Sequence, residues 1–204
     1  MSIGRGGDWG ELVARPERLR VAADDAEVVR MLGDPSADPV ALGGGDLHRT
    51  VGARALDGRD ELLRLPVDLV EVVVDDRRER VLCVAHVVAR RRWRRGGGWR
   101  GPVLAVMNAE YLGDLDVAPR GHPGDGRVET FALDPSTSVR QRIEMRRRAR
   151  GATHLPHPSI TTRSVRSGEW TFDEPLVVAV DGRPIGSVRR LAITVLPDAA
   201  VVLA

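Results

Sequence analysis

A loop rich in proline and glycine surrounds one acidic residue, Asp125, near the middle of the chain. Glycine lets backbone carbonyls turn inward where a Cβ would clash, and hard cations prefer oxygen ligands. Asp125 and its flanking carbonyls could therefore form an all-oxygen cation site. The alternative is an ordinary Pro/Gly turn. The prolines and glycines of this loop are Pro119, Gly121, Pro123, Gly124 and Gly126.

A second acidic residue, Asp46, directly follows Gly43, Gly44 and Gly45. The pattern predicts a short strand before these glycines, at 40–42, and a helical turn after them, at 47–52. A Gly-rich turn that opens a helix can present backbone N–H groups to a phosphate. Plain turn chemistry is the alternative, because glycine clusters are common in loops.

The basic residues are unusual, because all 31 are arginine and the chain has no lysine. The net charge is only +2, although the pI is 9.4. The absence of lysine excludes a Walker-type phosphate lysine, a Schiff-base lysine and the strand lysine of protein kinases. A lone cysteine, Cys83, excludes an intramolecular disulfide and a cysteine-based zinc site. We find no signal peptide or long apolar span, so a cytoplasmic protein is expected.

Two arginine-rich segments, 90–100 and 140–150, could bind anions. The first interleaves arginine with Trp93, Trp99 and three glycines, a composition suited to phosphate binding, base stacking or a lipid interface. The second is predicted to be the basic face of a helix over 135–150. For both segments the alternative is a solvated surface.

Two histidines, His154 and His157, are spaced as in some metal sites. Pro156 and Pro158 flank them and prevent the helical geometry in which such spacing binds a metal. We interpret this segment as a connector.

The predicted fold class is mainly β (α+β), because aromatic residues are few and the apolar residues are mostly valine, leucine, alanine and isoleucine. A strand, a helix and a second strand are expected at 19–23, 24–32 and 40–42, with Asp24 and Glu27 forming an acidic capping pattern. After a linker over 53–65, regularly spaced strands suggest a sandwich or a bent sheet. The predicted strands are 67–74, 80–88, 102–107, 127–133, 159–166, 169–173, 175–181, 188–196 and 200–203.

Three segments, in order, resemble the diacylglycerol kinase family of bacterial lipid kinases, which shares its fold with NAD kinases. Residues 43–52 are similar to the family's Gly-Thr-Gly-Asn-Asp-Phe-Ala-Arg segment, and 108–126 to its Asn-x-x-x-x-Gly…Ala-Pro…Asp-Gly block. Residues 178–186 resemble its terminal strand pair, which begins Val-Asp-Gly-Glu. The resemblance covers about 40–203.

The resemblance implies a truncated α/β remnant of a nucleotide-binding lobe at 1–58 and a β-sandwich-like lobe at 59–204. It implies that Asp181 is the general base toward a lipid hydroxyl. Gly43, Gly44, Gly45 and Asp46 would lie near the phosphates of ATP and a Mg²⁺ ion. Asp125, with the carbonyls of His122 and Arg127, would match a structural cation site.

Three departures from the family pattern argue for weak catalysis. The main ATP motif, Gly-Gly-Asp-Gly-Thr, is absent, and the segment before Gly43 is short for a full nucleotide-binding lobe. Arg183 replaces the glutamate expected after Asp181-Gly182, and an adjacent cation weakens a carboxylate as a base. Phosphoryl transfer depends on positioning and charge stabilisation, so loss of the phosphate cradle removes most of the catalysis.

The leading hypothesis is therefore a catalytically impaired lipid kinase relative that binds a phosphorylated or lipidic ligand. One alternative is an active kinase completed by a partner chain or by a dimer. Another is a module without enzymatic activity whose arginines bind anionic lipid, at the periphery of a membrane, or nucleic acid. Of these two ligands nucleic acid is the less expected.

Overall fold

The computed structural model describes residues 9–34, 38–75 and 79–204, and in them the predicted mainly β fold is confirmed. The strands are β1 Glu11–Ala14, β2 Arg20–Ala22, β3 Val40–Leu42, β4 Glu61–Val74, β5 Val81–Cys83, β6 His86–Arg90, β7 Val103–Met107, β8 Tyr111–Leu112, β9 Leu115–Asp116, β10 Val128–Leu133, β11 Ile160–Val165, β12 Ser167–Val180 and β13 Arg183–Leu203. The helices are α1 Asp25–Leu32, α2 Gly45–Thr50 and α3 Val139–Ala149, with short 3-10 turns at Trp93–Arg95 and Gly97–Trp99.

Eleven of these strands form one sheet, and β8 and β9 form a separate two-stranded hairpin. The main path of the sheet runs β1-β4-β13-β12-β6-β7-β10-β11, with every neighbouring pair along it antiparallel. β5 pairs with β4, and β2 pairs with β3 in parallel. No helix in the described ranges has the length and apolar character to cross a membrane.

The N-terminal α/β segment forms as predicted. Asp24 caps α1 by accepting the amide of Glu27 at 2.8 Å, and the Glu27 carboxylate accepts the amide of Ala23 at 2.8 Å. These reciprocal bonds satisfy amides that a helix start leaves unpaired. Next to α1, β3 joins the large sheet through a parallel pairing of Ala41 with Leu203. The division of the chain at residue 58 stays a prediction.

The C-terminal strands are longer than predicted. The segments expected at 169–173 and 175–181 belong to one strand, β12, and those expected at 188–196 and 200–203 belong to β13. The pairing register shifts between Thr171 and Leu176, and again between Leu196 and Ala200. Each shift spans a proline, which a strand tolerates at a bulge, so these irregularities bend the strands without ending them.

The linker expected over 53–65 is also shorter than predicted, because β4 begins at Glu61.

Residues of β4 belong to two hydrophobic clusters. Val70, Val72 and Val74 pack in one cluster with residues of β6, β7, β12 and β13. Leu65, Val67 and Leu69 pack in a second cluster with α1, α2 and β3. Since each fully buried valine or leucine contributes roughly 1.5–3 kcal/mol, β4 connects the α/β segment energetically to the rest of the sheet.

Candidate functional site

Asp46 and Asp181 lie together in one pocket of about 300 Å³. Asp46 belongs to the first turn of α2, and Asp181 occupies the turn between β12 and β13. The two residues are far apart in sequence, and His86, at the start of β6, links them. Its ring lies 2.9 Å from the Asp46 carboxylate, and its amide donates to the Asp181 carboxylate at 3.0 Å. The pocket is lined by Asp24, Asp25, Gly45, Asp46, His86, Asp181, Gly182 and Arg183.

The carboxylate of Asp181 is held by the turn between β5 and β6. Its oxygens accept the amides of Val84, Ala85 and His86 at 2.9, 2.9 and 3.0 Å. The thiol of Cys83 donates to it at 3.2 Å, and burial followed by the Asp181 charge raises the pKa of that thiol. Asp181 is only 8% exposed. Both of its oxygens therefore fix the local backbone, a role that the Asp-Gly sequence did not suggest.

Asp25, which sequence reasoning did not single out, caps the helix that follows the glycines. Its two carboxylate oxygens accept the amides of Asp46 at 2.7 Å and Leu47 at 2.9 Å. Burial raises the pKa of Asp25 to about 6. The N–H groups that the Gly-rich turn was expected to offer to a phosphate thus donate to a carboxylate of the chain itself.

The glycine run is required by close packing against β2 and the start of α1. A Cβ on Gly43 would lie 2.6 Å from Val21 Cγ1, and one on Gly44 would lie 2.5 Å from the Ala23 carbonyl oxygen. Gly45 has a φ of +98°, and its Cβ would meet the Asp25 carboxylate. Both contacts and backbone angle favour glycine here.

Asp46 connects α2 to two other parts of the chain. One carboxylate oxygen accepts the amide of Gly113 at 2.9 Å, and the other lies 2.9 Å from His86 Nε2. Burial by itself would lower the pKa of His86, but the Asp46 hydrogen bond and the nearby Asp181 and Asp25 charges outweigh it, so the pKa is raised. At neutral pH the imidazole therefore retains more of its proton than an isolated histidine.

Asp25, Asp46 and His86 form a group that fits a divalent cation. One ligand atom from each residue lies within 4.8 Å of the other two. Ligand atoms about 2.1 Å from one ion and at right angles to each other are roughly 3 Å apart, close to the 2.9 Å between His86 and Asp46. His86 Nδ1 is buried and has no hydrogen-bond partner within the described residues. Two carboxylates with an imidazole suit Zn²⁺ or Mn²⁺, and the two carboxylates without the imidazole suit Mg²⁺.

The loop around Asp125 is held by local bonds and by a buried carboxylate. Asp125 accepts the amide of Arg127 at 2.9 Å, and the His122 carbonyl accepts the amide of Asp125 at 3.4 Å. The amide of Gly126 donates to Asp68 at 2.6 Å. Burial raises the pKa of Asp68, as do the charges of Asp198 and Asp125. The cation site predicted from Asp125, His122 and Arg127 stays a prediction. Asp68, which no sequence motif marks, places a further carboxyl group beside it.

A larger, mostly apolar pocket of about 610 Å³ lies on the same face of the sheet as His86. His86 pairs with Met107 across β6 and β7, and Met107 pairs with Glu129 across β7 and β10. Directly paired residues point to the same face. The lining includes Glu129, Phe131, Leu155, His157 and Ile160. The two predicted connector histidines differ, since His157 lines this pocket whereas His154 is buried.

The protein is mainly β, with a short α/β segment packed against the large sheet. The pocket where the two meet is lined by four carboxylates and one imidazole. Three solved structures from Bacillus anthracis str. Sterne share this fold. Two are titled "a putative diacylglycerol kinase", with TM-scores of 0.64 and 0.62, and the third, titled as a diacylglycerol kinase, has a TM-score of 0.59. The expected diacylglycerol kinase-like fold is therefore confirmed.

The likeness is structural and covers most of each chain. It spans 91%, 90% and 90% of this chain and 77%, 76% and 74% of the neighbours, at 14% sequence identity in each case. No protein-family model matches the sequence. No curated protein matches it significantly.

Proposed function

We propose that this chain is a diacylglycerol kinase-like protein that binds a phosphorylated or lipidic ligand and is catalytically impaired when alone. The observation that carries the proposal is the shared pocket of Asp46 and Asp181, at the junction of the α/β segment and the large sheet. The fold shared with the diacylglycerol kinase structures supports the same assignment.

The charge of the pocket makes phosphate binding dependent on a cation. Four carboxylates line it, from Asp24, Asp25, Asp46 and Asp181, against a single arginine, Arg183. Arg183 lies 3.6 Å from Asp24. Because like charges repel strongly where water is limited, a nucleotide or phosphomonoester would enter this pocket only together with a divalent cation.

Asp25, Asp46 and His86 would hold that cation, which would supply charge neutralisation for a phosphoryl group. Asp46 Oδ2 and His86 Nε2 orient each other by their 2.9 Å contact. The amide of Gly113 fixes the other oxygen of Asp46. Asp181 would act by keeping the turn that carries His86 in place.

Two contacts support impaired catalysis. The amides at the start of α2 donate to Asp25, so they are engaged before any phosphate arrives. The oxygens of Asp181 accept four hydrogen bonds, which leaves this carboxylate poorly placed to take a proton from an acceptor hydroxyl.

The mostly apolar pocket would hold the lipidic part of a ligand. It lies two strands from His86, and neighbouring strands are about 4.8 Å apart, so the row of His86, Met107 and Glu129 spans roughly 10 Å. A lipid whose polar group reached the carboxylates could therefore place an alkyl chain against Phe131, Leu155 and Ile160.

The proposal is tested by calorimetric titration of the full chain with ATP and, separately, with a short-chain diacylglycerol, each with and without Mg²⁺, and by a radiolabelled assay of phosphate transfer to that diacylglycerol. We expect Mg²⁺-dependent binding that Asp46→Ala weakens at least tenfold, with little or no turnover. Asp57→Ala, at an exposed position outside the pocket, is the matched control. Rapid turnover by the chain alone would disprove the impairment. If neither ATP nor the diacylglycerol binds, the ligand assignment is wrong.

A further inference from the structure

The connection between β6 and β7 exposes a large aromatic side chain. Trp93, in the first of two 3-10 turns, is 73% exposed, more than any other large hydrophobic residue in the described part of the chain. Leaving an indole in water forgoes the favourable burial that this side chain normally finds. Tryptophan is, however, enriched where proteins meet the headgroup region of a membrane.

Arginines without carboxylate partners surround this tryptophan. Arg92, Arg94 and Arg100 are exposed, and none of them is within ion-pairing distance of a carboxylate in the ranges that the structure describes. Arg91 and Arg95, in contrast, pair with Glu174. The end of the connection therefore carries uncompensated positive charge next to an exposed indole.

This connection is held in a defined conformation by a buried arginine from α3. The Arg142 guanidinium, only 4% exposed, donates to the carbonyls of Gly98 at 3.0 Å and Gly101 at 2.5 Å. It also donates to the carbonyls of Thr137 and Asp134. One cation thus joins the segment 91–102 to the N-terminal half of α3, and the Trp93 segment is more than a solvated loop.

The neighbouring helix α3 also combines exposed apolar side chains with arginines that have no carboxylate partner. Val139 and Ile143 are 37% and 41% exposed. Arg140 and Arg147 are exposed on the helix, and no carboxylate in the described ranges pairs with either. Exposed aliphatic residues beside unpaired arginines are typical of surfaces that lie in a membrane interface.

We propose that residues 91–100 and the N-terminal half of α3 form a docking surface for an anionic lipid bilayer. The arginines bind lipid phosphates, and Trp93, Val139 and Ile143 enter the headgroup region. A bilayer fits better than nucleic acid because single-strand binding relies on several stacked aromatic rings. On this surface Trp93 is the one exposed aromatic ring, since Trp99 is partly buried. This surface is separate from the acidic pocket, so its test is independent of the proposed function.

The test is sedimentation of the full chain with phosphatidylcholine vesicles, with and without phosphatidylglycerol. We expect pelleting only with the anionic vesicles and release at high salt, because exposed charges are screened. Each arginine near a charged membrane contributes ~1 kcal/mol, or about fivefold, so R94E combined with R140E should weaken binding by at least ~20-fold. R18E combined with R54E, two exposed arginines on other segments, is the matched control.

The role of Trp93 needs its own comparison. Trp93→Ser should lower the partition into anionic vesicles severalfold and remove the blue shift of tryptophan emission that accompanies binding. Leu12→Ser, at a residue 69% exposed on β1, should do neither. The proposal is overturned by lack of pelleting with anionic vesicles, by equal loss in the control variants, or by a single-stranded oligonucleotide that competes the vesicles off in the wild-type protein.

Discussion

At the scale of single residues, buried carboxylates determine the local geometry of the candidate site. Asp25 organises the start of α2, Asp68 organises the loop at Gly126, and Asp181 organises the turn between β5 and β6. Each of the three accepts backbone amides from a distant part of the chain. Such contacts cannot be read from local sequence, because the donor and the acceptor are tens of residues apart.

Substitution of Asp181 should reveal this structural role. Asp181→Asn would place an amide NH₂ against backbone N–H groups that now donate to a carboxylate oxygen. Hydrogen bonds to a charged group contribute about 1.5–3 kcal/mol each, and leaving a buried donor unpaired costs about 1–3 kcal/mol. We expect the free energy of unfolding in urea to fall by roughly 3 kcal/mol, against less than ~0.5 kcal/mol for Asp57→Asn. An Asp181→Asn variant as stable as the wild type would contradict this account.

His154 should make stability depend on pH in a predictable direction. Burial lowers the pKa of His154, although the Val117 backbone and the Asp116 charge partly oppose the shift. Because the folded pKa is lower than the unfolded one, near 6.5, the neutral form stabilises the fold above that pH. This stability is lost as the pH falls from about 6.5 towards the folded pKa.

The measurement is the free energy of unfolding at pH 7.5 and pH 5.5 for wild type, His154→Leu and Leu12→Ser. The difference between the two pH values should change in the His154 variant, which loses less stability on acidification than the wild type. Leu12→Ser, at an exposed position on β1, introduces no titratable group and should follow the wild type. An identical pH dependence in all three proteins would show that His154 is accessible to protons in the folded state.

At the scale of secondary structure elements, the turn between β3 and α2 depends on glycine for steric reasons. Gly44 has an extended backbone, with φ of −176°, that any residue could adopt. A Cβ would nevertheless lie 2.5 Å from the Ala23 carbonyl oxygen. We expect Gly44→Ala to destabilise the protein by about 1–3 kcal/mol, the usual cost of overpacking.

Gly151 provides the control for that substitution. It follows α3, and an added Cβ there would meet nothing within 4 Å. Gly151→Ala should change the melting temperature little, whereas Gly44→Ala should lower it by several degrees. Equal melting temperatures for the two variants would mean that the turn relaxes without cost.

At the scale of the whole molecule, the sequence predicts a residue of the candidate site only where a short local motif marks that residue. Short motifs point to Asp46 and Asp181, and these two residues line the same pocket. Asp25 and His86, which complete that pocket, lack any such motif, because their roles arise only when α1, α2 and the start of β6 come together. The sequence predicts two short strands in place of each of the long strands β12 and β13, because Pro175 and Pro197 are typical of strand ends.

The same assembly predicts that the α/β segment and the large sheet unfold together. Leu47 of α2 is fully buried in one cluster with Leu65 and Val67 of β4 and with Val202 of β13. Leu47→Ala should therefore destabilise the whole chain by about 2–5 kcal/mol, with coincident transitions by circular dichroism and tryptophan fluorescence. Val72→Ala, in the other core of β4, should give the same single transition. An early, separate transition in Leu47→Ala would instead show that residues 1–58 unfold as an independent unit. In that case the acidic pocket, which lies between this unit and the sheet, would form only when both are folded.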